Sequence, residues 1–132
     1  MPYLLDTNIV SDLVRNPRGR AAARLANIPE DQIFTSIIVA AELRYGAVRK
    51  KSPQLSAQVE TVLSALEIIS FDEPADIAYA NLRTQLEAAG KVIGGNDLLI
   101  AAHALVLGYT LVTDNQREFS RVKGLAVENW LR

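Results

Sequence analysis

Short apolar runs that alternate with stretches of helical periodicity constrain this chain more than any other feature. The runs are PYLL, QIFTS, EIISF, YTLVT and, more weakly, LAVEN. No two are joined by a connection of hairpin length, so neighbours in sequence do not pair through a tight turn. The pattern predicts an α/β fold of three layers: a central parallel sheet of four to five short strands flanked by helices. In such a sheet ligands bind outside the carboxyl ends of the strands. The residues that directly follow each strand are therefore the first place to look for chemistry.

The helix boundaries are marked by local signals. A helix is expected from about Asn8 to Val14. Asn16 and Pro17 read as the cap and first position of a second helix. Ser36 caps the helix through IIVAAELRYGAV, and Ser52 with Pro53 behind it starts the next. Asp72 and Pro74 open a long helix to about Ala89, stopped by Gly90. Asn96 caps NDLLIAAHALVLG, which Gly108 ends.

At 132 residues the chain reads as a single domain, 1–132. It has no cysteine, which removes disulfides and thiolate chemistry. The first residues lack a basic start followed by a long apolar segment, and the longest uncharged apolar run, Leu98 to Val112, is too short to span a bilayer. A soluble cytoplasmic protein is expected. Net charge is −1, but residues 1–51 hold eight Lys/Arg against five Asp/Glu, and the rest hold six against ten. Arg15, Arg18, Arg20 and Arg24, then Arg44, Arg49, Lys50 and Lys51, form this basic part. Solvated helix faces and contacts to a phosphate backbone both fit it.

The acids are more informative. Asp6 is the only charge in the first eleven residues and directly follows a strand; Asp114 follows the strand YTLVT in the same way. Glu42 is the only charge between Asp31 and Arg44, mid-helix on a mostly apolar face with Ile38 and Tyr45. Asp97 lies in the first turn of its helix, and between Lys91 and Arg117 the only charges are Asp97 and Asp114. Capping explains Asp6 and Asp114 singly, and a first-turn role explains Asp97. Together they form a cost: four carboxylates with no local cation. A helix start contributes roughly 0.3–1 kcal/mol, which cannot keep such a set ionised. A divalent cation can, and oxygen ligands select Mg²⁺ or Mn²⁺. Such a site suits phosphodiester hydrolysis by an activated water. Thr7, Asn8, Thr113 and Asn115 flank the strand-end acids as donors that orient them. His103 reads as a packed helix residue and Trp130 as an anchor of the carboxyl terminus. Asp12 and Asp72 read as surface or cap residues, and Glu60, Asp76, Glu87 and Glu118 as solvated.

LLDTNIVSDL, TSIIVAAELRYGA and GNDLLIAAHALVLGYTLVTDNQREFSRVKGLAVENW resemble, in order, PIN-domain toxins of the VapC type from bacterial toxin–antitoxin pairs. The resemblance implies a compact α/β fold and a Mg²⁺- or Mn²⁺-dependent endoribonuclease, often acting on transfer RNA. It implies an acidic site at Asp6, Glu42, Asp97 and Asp114, with Asp6, Asp97 and Asp114 as metal ligands and Glu42 positioning or deprotonating water. It also implies a homodimer and a small VapB-like antitoxin that blocks the site, with operator DNA bound only through the antitoxin. Arg44, two residues from Glu42, is a candidate RNA contact. Gly94-Gly95 stands where the family often has Gly-Pro, and asparagine is frequent at position 114, which would make Asp114 a water-mediated ligand. The alternative is an inactive PIN-like module acting within a DNA-binding complex, and the presence of all four acids argues against it. An aspartyl phosphatase would need a lysine and second acid close to Asp6, which DTN does not offer.

Overall fold

β1 (Tyr3–Leu5) is the axis of the sheet. In the computed structural model, which describes residues 1–132, it pairs in parallel with β2 (Ile33–Ser36) on one side and β4 (Thr110–Val112) on the other. β3 (Glu67–Ile69) extends the sheet beyond β2 and β5 (Val127–Glu128) beyond β4. The order is β3-β2-β1-β4-β5, all parallel, as the absence of hairpin connections requires. Strand order reverses direction between β1 and β4, so the crevice expected to bind ligand lies at the ends of those two strands.

The strands are connected by α1 (Thr7–Arg15), α2 (Arg20–Leu25), a 3-10 turn at Glu30–Gln32, α3 (Ile37–Lys50), α4 (Pro53–Ser64), α5 (Ala75–Ala88), α6 (Gly95–Leu107) and α7 (Gln116–Phe119). α5 packs along α6, and α3 against α4 and α1. The core is built from residues with no exposed surface on β1 (Leu4, Leu5), α1 (Ile9, Val10), α3 (Val39, Ala40), α6 (Ile100, Ala101) and β4 (Leu111, Val112), with Phe119 of α7 joining them. β1 and β4 lack polar alternation because both their faces are covered.

Several boundary signals act as expected. Ser36 Oγ accepts from the Ile38 N–H at 3.0 Å, and Ser52 Oγ from the Leu55 N–H at 3.1 Å with Pro53 in the first helical position. Gly90 and Gly108 take the left-handed conformation that ends α5 and α6. Two caps differ. Asn16 does not start α2 but ends α1, its Nδ2 donating to Asp12 Oδ1 at 2.7 Å, and Gly19 is the residue before α2. α6 starts two residues early, with Gly94 before it, Gly95 inside it and Asn96 making no cap bond. Asp12, expected at the surface, is 8% exposed and its Oδ2 has no partner. It faces the start of α2, whose free N–H groups offset part of the burial cost.

His103 is a packing residue, as expected. Its Nδ1 lies 2.9 Å from Ser36 Oγ and its ring stands edge-on to Phe71 at 5.3 Å, while burial pushes its pKa down. The neutral ring accepts from the Ser36 hydroxyl, while the nearby Ser70 backbone partly opposes the fall. Ser36→Ala should therefore lose a helix cap and strand a buried nitrogen, costing about 1–2 kcal/mol in a denaturant titration. Trp130 is buried edge-on against Tyr3 and anchors the end of the chain.

Candidate active site

Asp6 sits at the junction of β1 and α1, and the junction dictates its environment. Its N–H continues the ladder to the Val112 carbonyl at 2.9 Å, while its Oδ1 accepts from the Thr7 N–H at 2.7 Å and so caps α1. Its Oδ2 accepts from the Thr113 hydroxyl at 2.6 Å. Capping and a place in the site thus coexist in one side chain. Asp6 is 3% exposed, and burial pushes its pKa up against the opposing pull of the Thr113 and Thr7 hydrogen bonds, with the Glu42 charge adding to the rise.

The Thr7 hydroxyl donates to Glu42 Oε1 at 2.7 Å, which ties the second turn of α3 to the start of α1. Asp97 arrives from the first turn of α6, after the Gly94-Gly95 pair. Its pKa is pushed up to about 7, first by burial, then by the charge of Asp6, by a hydrogen bond with Glu118 and its charge, and by the charge of Glu42. Four carboxyl groups from four segments thus act on one another. Neither Asp6, Glu42, Asp97 nor Glu118 forms an ion pair with a lysine, arginine or histidine.

Glu118 was expected to be solvated and is instead part of the cluster. Asn115 Nδ2 donates to Glu118 Oε2 at 2.6 Å and to Asp97 Oδ2 at 3.3 Å, bridging the two. Asp114 as a cap implied a helix behind it, and one forms, α7, but Asn115 rather than Asp114 precedes it and it delivers Glu118 to the cluster. The signal for that placement was the spacing Asn115-x-x-Glu118 at a helix start, followed by the apolar Phe119.

Asp114 lies elsewhere. It is exposed, its Oδ1 accepts from Asn129 Nδ2 at 3.0 Å, and Arg132 faces it at 3.6 Å. Its charge does not figure in the shift of either Asp6 or Asp97. The register explains this. Leu5 is opposite Val112, so the residue that matches Asp6 is Thr113, and Asp114 is one step beyond, where an extended chain points the other way. The four flanking residues all make contacts near these acids: Thr113 and Thr7 hold Asp6, Asn115 holds Asp97, and Asn8 Oδ1 accepts from the Asp114 N–H at 3.1 Å. Arg44 is exposed and engaged by both Glu60 oxygens at 3.0 Å. Arg15, Arg18 and Arg20 line a concave surface of about 640 Å³ at the far end of α1, about 13 Å of helix from Asp6.

The donor set, carboxylates and hydroxyls without sulfur or a free imidazole, is that of a hard divalent cation. No three of the acids are close enough as they stand to ligate one ion directly. Thr7 and Asn115 each hold a carboxylate oxygen that an ion would compete for.

Residues 3–125 match the family model of the PIN domain. A ribonuclease VapC2 from Rickettsia felis is 43% identical over 132 residues, covering 98% of each chain. The chain belongs to the VapC ribonucleases of the PIN-domain family. A VapC from Shigella flexneri, a tRNA(fMet)-specific endonuclease, is 32% identical over 98% of each chain. The crystal structure of VapBC2 from Rickettsia felis, bound to a DNA fragment from its promoter, superposes with a TM-score of 0.89 at 41% identity, covering 98% of this chain and 99% of that one. This VapC-family chain therefore carries a nuclease fold, and its acids stand where that fold's strand ends meet.

Proposed function

We propose that this chain is the toxin of a VapBC toxin–antitoxin pair and cleaves transfer RNA with the help of Mg²⁺ or Mn²⁺. The observation that carries the reading is the convergence of Asp6, Glu42, Asp97 and Glu118 without a single cation among them. PIN-domain ribonucleases depend on a divalent metal. Once bound, the ion makes water more acidic and neutralises charge on the phosphate. Asp6 and Asp97 would hold it, the first fixed by Thr113 and the Thr7 N–H, the second by Asn115. Glu42 accepts one bond from Thr7 through Oε1, which leaves Oε2 to take the proton of the attacking water. The water oxygen bonds to phosphorus, the bond to the departing sugar oxygen breaks, and that oxygen takes up a proton. Glu118, in hydrogen-bond contact with Asp97, would add its charge to the ion's surroundings; Asp114, outside the cluster, would contribute least.

The partner is a small VapB-like antitoxin. The uncompensated acids favour a cationic segment of it across the site, and operator DNA is contacted through the antitoxin rather than through this acidic cleft. No helix is long and apolar enough to cross a membrane. The setting proposed is the cytoplasm, where transfer RNA is, with the toxin acting as a homodimer.

The test is cleavage of transfer RNA by the purified chain with Mg²⁺ and with chelator. Cleavage should require the ion. Glu118→Gln should lower the rate by about 10- to 100-fold, and Asp114→Asn by less than about 10-fold. Loss of activity in Asp114→Asn with Glu118→Gln unaffected would reverse the two roles.

A further inference from the structure

Beside the catalytic carboxylates lies a cleft that the hydrolytic chemistry does not use. It has a volume of about 380 Å³ and is lined by Ile38, Ala41, Glu42 and Tyr45 of α3 and by Asn96 and Leu99 of α6. Glu42 forms one end. Tyr45 stands one turn further along α3, 65% exposed. Its ring is not packed into the core. The Arg49 guanidinium lies 5.8 Å from the ring centroid. The helix then ends in Lys50 and Lys51, a run of three cations leading away from the acids. Asn96 presents an exposed amide next to Asp97.

We propose that this cleft takes one unpaired nucleobase of the RNA substrate, next to the phosphate that is cut, with Tyr45 as the stacking surface. The proposal rests on the ribonuclease reading above. Single-stranded RNA is recognised by splayed bases stacked on aromatic and arginine planes, with their edges read by amides. Each of those elements is present: the Tyr45 ring, the Arg49 guanidinium beside it, and the Asn96 amide on the opposite wall. Continuity with Glu42 fixes which base is meant, since the cleft and the attacking-water position share that side chain. The cations at the end of α3 suit the phosphates that follow. Tyr45 is thus a specificity residue rather than a catalytic one, and it is the counterpart to acids that by themselves would repel RNA.

Two measurements test this together. The first is cleavage of a single-stranded RNA oligonucleotide containing the preferred cut site. Tyr45→Ala should raise KM by about 10- to 100-fold with kcat within about threefold, while Tyr45→Phe behaves like the parent. The second is binding of the same oligonucleotide, by fluorescence anisotropy, to the uncleaving Asp97→Asn protein with and without Tyr45→Ala. Making one nucleotide beside the cut abasic should weaken binding to the Tyr45 protein and leave the Tyr45→Ala protein unaffected. Equal weakening in both proteins would overturn the proposal. So would loss of a dimer in Tyr45→Ala by sedimentation, with activity falling alike on intact and abasic RNA, because Tyr45 and the exposed Val48 would then meet a second copy of the chain. If the parent cuts no RNA at all, the ribonuclease reading fails, and the anisotropy data still decide whether Tyr45 binds a base.

Discussion

Replacement of Asp97 by asparagine is expected to lower RNA cleavage by at least about 10³-fold while the fold stays intact. Asparagine keeps the shape of the side chain and can still accept from Asn115, which donates to Asp97 Oδ2. What it loses is the charge that, with Asp6, would hold the cation. A bound ion provides several kcal/mol of transition-state stabilisation, and about 4 kcal/mol corresponds to that factor in rate. Single-turnover cleavage of transfer RNA at saturating Mg²⁺ is the measurement, with circular dichroism to show that secondary structure is unchanged. A variant that cuts within tenfold of the parent rate would remove Asp97 from the ion's ligands.

The second large effect concerns the metal-free protein and has the opposite direction from most acid denaturation. The Asp97 carboxyl is pushed up to about 7 from an ordinary value near 3.8. Below about pH 4 both folded and unfolded chains hold this proton. Between about pH 4 and 7 the unfolded chain releases it and the folded chain keeps it, so the folded state is progressively disfavoured as pH rises. Asp6, raised in the same direction, adds to the effect. With an allowance for water around the half-buried Asp97, its share is about 1–2 kcal/mol. Thermal melts in chelator should fall by several degrees from pH 5 to pH 8, and Mg²⁺ should restore most of the loss at pH 8. In Asp97→Asn the slope should flatten and the metal response should shrink. Parallel curves for the two proteins would mean that the acids do not confront one another as described.

Most of the architecture was legible because its signals are local. Ser36, Ser52, Gly90 and Gly108 act within a few residues of themselves, and the strand pattern with no hairpin connection forces a parallel sheet. Asp6, Glu42 and Asp97 stood out because each is an isolated charge in apolar sequence, which is how a carboxylate committed to a buried site looks before folding. Glu118 lacked that mark: Arg117 and Arg121 flank it, and only the turn of α7 carries it inward. Asp114 had the mark but not the position, since side-chain direction depends on pairing register, and a single step along the strand sends a residue to the other side. Asn16 and Asn96 were good caps by composition, and tertiary packing preferred Gly19 and Gly94.

The central position of β1 has a consequence for the order in which the site is completed. Its two neighbours are β2, translated soon afterwards, and β4, translated only after α5 and α6. The hydroxyl that holds Asp6 belongs to Thr113, and Glu118 comes later still. A nascent chain on the ribosome therefore holds Asp6 without these partners until the later segment has emerged. The acids can confront one another, and compete for a cation, only from that point on.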